Sequence, residues 1–400
     1  MSAKNTLDFN AVITGVGKSA IGRPLDRAPL DLTLDAVLAA VADAGLEPKD
    51  IDGISTWPGY QKEPAGFSPV SISDIKECLG LELNWYCGGM EQSGQFAAIA
   101  NACAAVSTGL ANHIIVFRTI AEASAQAAMR KSPPKMSAPP KADSRYQWQL
   151  PFDALSTVNW VALYAQRHFH DYGTTREQLA QIALNARRNA QLNPDALFRD
   201  PLSMDDYLNA RMISTPLCLF DCDTATDAST AIIISAADAH GAINSARRPI
   251  KIESVGTAMH GRDSWDQFQD LASVAAMESA AEMMWSNTEL TAADVDVAQL
   301  YDGFSYFTLA WLEALGFCGK GESGSFVEGG HRIALDGELP LNTDGGQLGA
   351  GKRHGFGFLH EACQQLWGQG GDRQVKSDPR VAVVAVGGGP QSTCLLLSRD

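Results

Sequence analysis

The sequence predicts an α/β protein made of two similar halves, and three observations support that fold class. Apolar runs that are typical of buried strands alternate with segments of helical period along the chain. One strand–helix–strand unit recurs about half a chain later, and each copy carries a glycine-rich turn followed by a small-residue helix. With 400 residues, 45% of them hydrophobic, the chain is long enough to bury the core that such a fold needs.

The first copy opens with an apolar run, Ala11–Gly17, that is predicted to form a strand. A segment of helical period, Leu32–Ala44, follows and stops at Gly45, a residue type that commonly ends helices. The second copy repeats this order with a strand at Pro249–Gly256 and a helix at Leu271–Ser286. The same elements in the same order indicate a repeated unit.

A short acidic motif follows the helix in both copies. The pattern L-x-x-x-D-[IV]-D begins at Leu46 and again at Leu290, 244 positions later. Each copy then carries a small-residue helix and an apolar strand, which predict a parallel or mixed sheet covered by helices. These later elements are Ser93–Leu110 and His113–Phe117 in the first copy, and Phe358–Trp367 and Val381–Val386 in the second.

A long segment, from residue 118 to about 212, interrupts the first half. Its proline-rich stretch, Ser132–Lys141, cannot form regular helix or a central strand because proline lacks the N–H donor. Aromatic residues follow, and they predict either an insertion with a small core of its own or a loop domain that covers a substrate. We therefore expect an N-terminal half at residues 1–245, including the insertion, and a C-terminal half at residues 246–400. The aromatic residues are Tyr146, Trp148, Phe152, Trp160 and Tyr164.

Composition excludes several classes of function. The formal net charge is −15, whereas a general nucleic-acid surface needs clustered lysine and arginine. No apolar run reaches the roughly 18 residues that span a bilayer, and no apolar segment typical of a secretory signal follows Met1. Of the eight cysteines only Cys218 and Cys222 are close, so core thiols are expected rather than a metal site. The pattern predicts a cytoplasmic protein without a membrane span.

The region from Leu341 to Pro390 carries the most specific pattern. It reads L-N-T-D-G-G-Q-L-G-A-G-K-R-H-G-F-G-F, then a helical segment, a strand and a G-G-G turn. The six glycines from Gly345 to Gly357 allow the backbone to pass close to a ligand. Together with Gln299–Ser305 (Q-L-Y-D-G-F-S), this block resembles signatures of the thiolase superfamily, above all its sterol carrier protein-X and lipid-transfer branch. The resemblance implies a five-layer αβαβα fold built from two similar halves, with an inserted loop domain.

Both cysteines that thiolases use are absent from the matching positions. In C-G-G-M-E-Q-S-G, Ser93 and Gly94 match the thiolase S-G, but Glu91 stands where the nucleophilic cysteine belongs. Cys87 lies four positions earlier, roughly 6 Å away along a helix, and Ala385 replaces the second cysteine. Thiolase chemistry needs a thiolate to carry the acyl group. Retro-aldol cleavage of a β-hydroxyacyl-CoA needs a base and hydrogen-bond donors for the enolate, so a C–C lyase is predicted.

The resemblance implies roles for individual side chains. Tyr301 takes the place of the thiolase Asn or His, where related steroid side-chain aldolases carry a catalytic tyrosine; alternatively its hydroxyl only satisfies the backbone. His354, in an H-G pair shared with those aldolases, is expected to transfer protons together with Tyr301. Lys352 would contact a CoA phosphate or the thioester oxygen, or be a solvated loop residue. Glu91 is either a general base or an acid favoured at a helix start, and Asp302 is a further catalytic candidate.

Other positions are candidates for holding the acyl-CoA, and the family also implies partners. The binding candidates are Ser93, Gly345, Gly346, Gly355 and Gly388. No cofactor or metal is expected beyond the CoA thioester of a steroid-like or other bulky substrate. A homodimer is expected, and so is a hetero-oligomer with a small OB-fold, zinc-ribbon protein. Two other functions stay open: a thiolase-type acyltransferase that uses an unconventional residue, and a non-catalytic subunit that binds acyl-CoA or lipid.

Overall fold

The structure is a computed structural model that describes residues 10–89, 94–132, 146–239, 248–260, 271 and 274–399. The first half alternates strands and helices as the sequence predicts. Its elements are β1 (Ala11–Lys18), α1 (Pro29–Asp43), β2 (Gly53–Thr56), α2 (Ile72–Leu79), β3 (Trp85–Gly88), α3 (Ala97–Ser107) and β4 (His113–Ala121). The strand expected to stop at residue 117 continues to Ala121, so the chain leaves the sheet at Glu122.

A mainly helical segment separates β4 from the last strand of this half. It contains α4 (Glu122–Lys131), α5 (Tyr146–Gln149), α6 (Thr157–Tyr172), α7 (Arg176–Gln191), α8 (Met204–Leu208) and the small hairpin β5 (Met212–Ser214) and β6 (Leu217–Cys218), before β7 (Asp227–Ala236). The apolar faces of α6 and α7 belong to the main hydrophobic core, including Val161 and Leu179. These two helices therefore cover the core of the protein rather than building a separate one. Most of the proline-rich stretch lies outside the described residues.

The second half repeats the strand–helix alternation. Its elements are β8 (Ile250–Met259), α9 (Ala275–Ser286), β9 (Val297–Leu300), α10 (Ser305–Ala314), α11 (Ser323–Val327), α12 (Gly346–Gly349), α13 (Phe356–Leu366), β10 (Val381–Gly387) and β11 (Gln391–Ser398). None of the helices in the described ranges is long and apolar enough to cross a membrane.

In the described part of the chain, nine strands form one mixed sheet in the order β3-β2-β4-β7-β1-β8-β11-β10-β9. The two halves meet where β1 and β8 pair over two residues, Val12 and Ile13. Outward from this joint, the two halves pair their strands in the same way. In the first half β1–β7 and β7–β4 are antiparallel and β4–β2 is parallel. In the second half β8–β11 and β11–β10 are antiparallel and β10–β9 is parallel. Helix α13 contacts strands of both halves and buries most of its residues, as a middle layer does. The predicted thiolase-like fold of two similar halves is confirmed.

The repeated acidic motif performs the same structural task in each half. Asp52 accepts the backbone N–H of His113 at 2.9 Å, where β4 begins. Asp296 accepts the backbone N–H of Val381, also at 2.9 Å, where β10 begins. Each carboxylate therefore ties the entrance of one strand to the entrance of its parallel neighbour. This explains why the motif recurs in the sequence.

The same repeat places one aromatic residue directly after a corresponding strand of each half. Strands β2 and β9 begin at Gly53 and Val297, and the residues that directly follow them are Trp57 and Tyr301. Both side chains are buried. Because β2 and β9 are parallel to their inner neighbours, these positions lie at carboxyl ends of strands, where ligand sites of α/β folds usually occur.

Candidate active site

The glycine-rich loop lies beside the end of β9 and is fixed by Asp302. This buried carboxylate accepts the backbone N–H of Gln347 at 2.8 Å, at the start of α12. Gly345 has φ +106°, and a Cβ there would lie 2.7 Å from that of Ala190, so the position requires glycine. Burial raises the pKa of Asp302 well above its ordinary value, although the N–H groups that it accepts oppose the shift. Asp302, a predicted catalytic residue, therefore positions the loop.

Helix α7 of the insertion supports this loop from behind. The side-chain amide of Asn185 donates to the carbonyl of Leu341 at 2.9 Å, and Asn189 donates to the same oxygen at 3.0 Å. Asn193, just after the helix, donates to the carbonyl of Asp344 at 2.9 Å. The insertion thus holds the glycine loop through its backbone, whatever side chains the loop presents.

Tyr301 lies buried between two aromatic rings. Its ring centroid is 6.4 Å from that of Phe307 and 6.3 Å from that of Phe358. Burial raises the pKa of Tyr301 to about 12, Asp223 adds to the shift, and the charge of Lys352 opposes it. The phenol keeps its proton near neutral pH. It can donate a hydrogen bond, but it is a poor base even with the charge of Lys352 nearby.

Lys352 is held inside the site. Its side chain is 16% exposed, and its Nζ lies 2.9 Å from a carboxylate oxygen of Glu122. Burial alone would lower the pKa of Lys352, but the charges of Asp223, Glu122 and Tyr301 outweigh it and raise the pKa. The alternative of a solvated loop residue is therefore wrong. Lys352 is a fixed cation next to Tyr301.

His354 adopts φ +48° and stacks on Trp57, with the ring centroids 5.5 Å apart. Its Nδ1 receives Nε–H and Nη2–H of Arg118 at 3.1 and 3.0 Å. Because arginine can only donate, Nδ1 carries no proton and the ring hydrogen is on Nε2. Burial and the charges of Arg118 and Lys352 lower the pKa of His354 well below its usual value. His354 is therefore a neutral donor through Nε2, and it cannot accept a proton as the predicted base.

Arg118 is a residue that the sequence reasoning missed. It lies in β4 and is almost fully buried, with its guanidinium carbon 4.7 Å from the ring centroid of Phe67 and 5.9 Å from that of Trp57. Nη1 donates to the carbonyl of Thr119 at 2.8 Å. Burial lowers the pKa of Arg118 to about 9, which leaves it cationic at neutral pH. The available signal was a charge at the end of the apolar run H-I-I-V-F.

Asp223 is the second residue that was missed. Its backbone N–H donates to the carbonyl of Gly303 at 3.0 Å, which ties it to the turn that carries Tyr301. Its Oδ2 accepts the side-chain amide of Gln347 at 3.3 Å. Burial raises the pKa of Asp223 to about 6, the charge of Lys352 opposes that shift and Glu122 adds to it.

Asp223 also forms part of the wall of a cavity of about 400 Å³. The insertion forms much of its wall, and Phe304 and Leu348 of the C-terminal half contribute apolar surface. Arg23 and Arg187 lie in the same wall. A volume of this size suits a small ligand or one part of a larger ligand. The cavity therefore meets the group of charged residues around Tyr301 at Asp223.

The remaining predicted site residues have different surroundings. Glu91 and Ser93 lie outside the described residues. Cys87 lies in strand β3, and Asn101 Nδ2 is 3.8 Å from its Sγ. Gly388 makes room for the ring of Phe307, since a Cβ would lie 2.6 Å from Cδ1.

Two further glycines lie in the loop itself. A Cβ at Gly355 would lie 3.0 Å from Cγ1 of Val386, so the loop packs closely on β10 there. Gly346 is the first residue of α12, directly above the carboxylate of Asp302. Both positions serve the packing of the loop, and their predicted contact with acyl-CoA stays a prediction.

Comparisons with known proteins agree with this architecture. Residues 257–398 match the family described as thiolase C-terminal domain-like. A steroid side-chain-cleaving aldolase of Thermomonospora curvata is 30% identical over 400 residues, which cover 98% of each chain. The chain belongs to the sterol carrier protein-like branch of the thiolase superfamily.

Within this superfamily, the similar proteins include enzymes named for C–C cleavage. A 17-hydroxy-3-oxo-4-pregnene-20-carboxyl-CoA lyase of Mycobacterium tuberculosis is 33% identical over 373 residues, or 90% of this chain and 92% of that one. The solved structure of an Ltp2-ChsH2(DUF35) aldolase matches with a TM-score of 0.84 and 29% identity, and the match covers 99% of both chains. These relatives confirm the prediction of an aldolase-type C–C lyase on a thiolase fold.

Proposed function

We propose that this chain is a retro-aldol lyase that cleaves a β-hydroxyacyl-CoA with a bulky, steroid-like acyl group. The observation that carries the proposal is the fixed state of His354, which Arg118 holds as a neutral Nε2–H donor. The protonated phenol of Tyr301 is a second donor near the same loop. Preorganised donors of this kind stabilise the negative charge that develops on a thioester oxygen when an enolate forms.

The second cysteine of thiolases is replaced in this chain, and this replacement supports the same reaction. Ala385 lies buried in β10, where a thiolase carries an acid/base cysteine. An acyltransferase would need a nucleophile to hold the acyl group between its two half-reactions. Retro-aldol cleavage has no such intermediate, so the donors of the loop and one base are sufficient.

The cavity offers a place for the CoA thioester. Its apolar wall suits the pantetheine arm or the acyl group, and the guanidinium groups of Arg23 and Arg187 suit anionic groups such as CoA phosphates. Asp223 and Phe304 bring the same cavity to the turn that carries Tyr301. In this arrangement Lys352 lies at the reacting end of the ligand and is not a phosphate contact.

We further propose that the active form includes a second protein component. The aldolase structure that matches this chain is named for two components, Ltp2 and ChsH2(DUF35). A small OB-fold, zinc-ribbon protein is the partner that we expect, bound to a homodimer of this chain in the cytoplasm. Analytical ultracentrifugation of the co-expressed pair, compared with the chain alone, would show whether such a complex forms.

The reaction is tested by product analysis. The purified chain, with and without its co-expressed partner, is incubated with 17-hydroxy-3-oxo-4-pregnene-20-carboxyl-CoA, the compound for which the mycobacterial relative is named. Retro-aldol cleavage should release a 17-ketosteroid and propionyl-CoA in equal amounts, and intact mass should show no acyl adduct on the protein. A stoichiometric acyl-cysteine would favour the acyltransferase. Binding without cleavage of any β-hydroxyacyl-CoA would favour the non-catalytic subunit.

A further inference from the structure

The reaction needs a base for the β-hydroxyl proton, and the expected candidates among the described residues, Tyr301, His354 and Lys352, do not fit that task. Tyr301 retains its proton. His354 carries its hydrogen on Nε2, and its Nδ1 is occupied by Arg118. Lys352 is protonated and paired with Glu122. All three are hydrogen-bond donors here, so a proton acceptor among the described residues must be another group.

Asp223 has the placement that a base requires. Its backbone N–H donates to the carbonyl of Gly303, the residue that follows Tyr301 and Asp302 in the chain. Asp223 lines the 400 Å³ cavity, and its carboxylate accepts one hydrogen bond, at Oδ2 from Gln347, among those found for the described residues. Oδ1 is therefore available to a ligand in the cavity.

We propose that Asp223 is the general base that removes the β-hydroxyl proton during the cleavage. This role rests on the proposed retro-aldol function. The carboxylate takes the proton as the C–C bond breaks, the alkoxide oxygen becomes the carbonyl of the released ketone, and the bonding electron pair moves into the enolate of the acyl-CoA. His354 and Tyr301 donate to the enolate oxygen. The carboxylic acid of Asp223 then returns its proton to the α-carbon, so no external oxidant, reductant or net proton is needed.

The surrounding charges suit a carboxylate that exchanges protons near neutral pH. Burial raises the pKa of Asp223 to about 6, which leaves it ionised at pH 7 but far more basic than an exposed aspartate. Lys352 lowers the pKa and Glu122 raises it. The charged and titratable groups that face Asp223 are Lys352, Glu122, Tyr301, Asp302 and Cys222, and Arg23 and Arg187 share its cavity.

The test compares Asp223→Asn with Glu122→Gln in the native complex. Asp223→Asn keeps the shape and removes the proton acceptor, so kcat should fall by roughly 10²- to 10⁴-fold while propionyl-CoA binding changes little. The wild-type rate should fall as the pH drops through about 6, and this acid limb of the pH–rate profile should disappear in Asp223→Asn. Glu122→Gln should keep the limb and move it to lower pH. The proposal is overturned if Asp223→Asn retains both rate and limb, or if Glu122→Gln loses the limb.

A second readout separates failure of this proposal from failure of the proposed function. In D₂O the wild-type complex should exchange the α-protons of propionyl-CoA for deuterium. This exchange is the reverse of the last proton transfer, and it needs no ketone substrate. Asp223→Asn should abolish that exchange, as followed by proton NMR. If the wild type neither cleaves nor exchanges, the lyase function itself is wrong. If the wild type does both and Asp223→Asn exchanges at the same rate, the lyase function stands and the assignment of its base is wrong.

Discussion

Two buried polar clusters flank the same glycine-rich loop, and they differ in how completely their hydrogen bonds are satisfied. The first, the support cluster, is Glu361 with Arg373, Gln365 and Thr343. Glu361 is almost fully buried and accepts from Arg373 Nε at 3.0 Å, Gln365 Nε2 at 2.9 Å and Thr343 Oγ1 at 2.8 Å. A second Arg373 contact, Nη2 to Oε2 at 2.9 Å, makes the pair bidentate.

The second, the reactive cluster, is Asp223, Tyr301, Lys352 and His354. Among the described residues, Asp223 accepts one hydrogen bond, at 3.3 Å, and lines a cavity, and the buried Oε1 of Gln347 beside it has no partner. Saturated buried networks stabilise a fold, whereas groups with unused hydrogen-bonding capacity beside a cavity are candidates for chemistry. Residue types do not distinguish the two clusters, because both contain a buried carboxylate and a cation. The degree to which their hydrogen bonds are satisfied does distinguish the structural cluster from the functional one.

After Asp223→Asn, the largest expected effect comes from the two donors. Tyr301→Phe and His354→Ala should each lower kcat by about 10²- to 10³-fold, because each removes a hydrogen bond to the enolate oxygen. Propionyl-CoA affinity should change far less, since neither group holds the CoA. Steady-state cleavage rates and isothermal titration calorimetry check both parts. Two variants with wild-type rates would remove Tyr301 and His354 from the reactive cluster.

Arg118→Met should reduce kcat less than His354→Ala does, because the imidazole remains but its tautomer is no longer fixed. Losing the buried cation should also raise the pKa of His354, since the charge of Arg118 lowers it. ¹⁵N NMR of labelled histidine reports the tautomer directly. The wild type should show a protonated Nε2 and an unprotonated Nδ1, and the opposite assignment would contradict the donor role.

Gly345→Ala should disturb both clusters, since it strains the loop that they share. The position has φ +106°, and the new methyl group would meet Ala190 of α7. Strain of this kind costs roughly 1–3 kcal/mol, so the free energy of unfolding should fall by that amount. Chemical denaturation measures it. Gly368→Ala, at a positive φ in open space, is the control and should cost less.

The smallest effect is a shift along the pH axis. The Lys352 charge lowers the pKa of Asp223, so Lys352→Met should raise it and move the acid limb of the rate profile to higher pH. The ionised form of the base would then be lost earlier as the pH falls. A limb that moves to lower pH, or that stays in place, would show that Lys352 does not interact with the titrating group.

Most of the fold could be predicted from the sequence, because its signals are local. The two acidic motifs 244 positions apart mark equivalent strand entrances, and apolar runs mark the buried strands. Tyr301 and His354 could be placed by their resemblance to known signatures. The pairing of Arg118 with His354 could not, since it joins residues 236 positions apart and no local pattern records it. Asp223, within the short acidic stretch D-C-D, gave no sign that a turn at Gly303 would hold it beside Tyr301.

The central claim is tested most directly by one paired measurement, kcat and the free energy of unfolding for Asp223→Asn and Glu361→Gln at pH 8. Asp223→Asn should lose at least about a hundredfold in kcat with stability unchanged or higher, since it replaces a buried carboxylate whose ionised form burial disfavours. Glu361→Gln should keep the wild-type rate in its folded fraction but lose roughly 3–5 kcal/mol, because Arg373 is left without its buried counter-charge. The reverse outcome, a slow Glu361→Gln and a fast but unstable Asp223→Asn, would contradict the assignment of the two clusters.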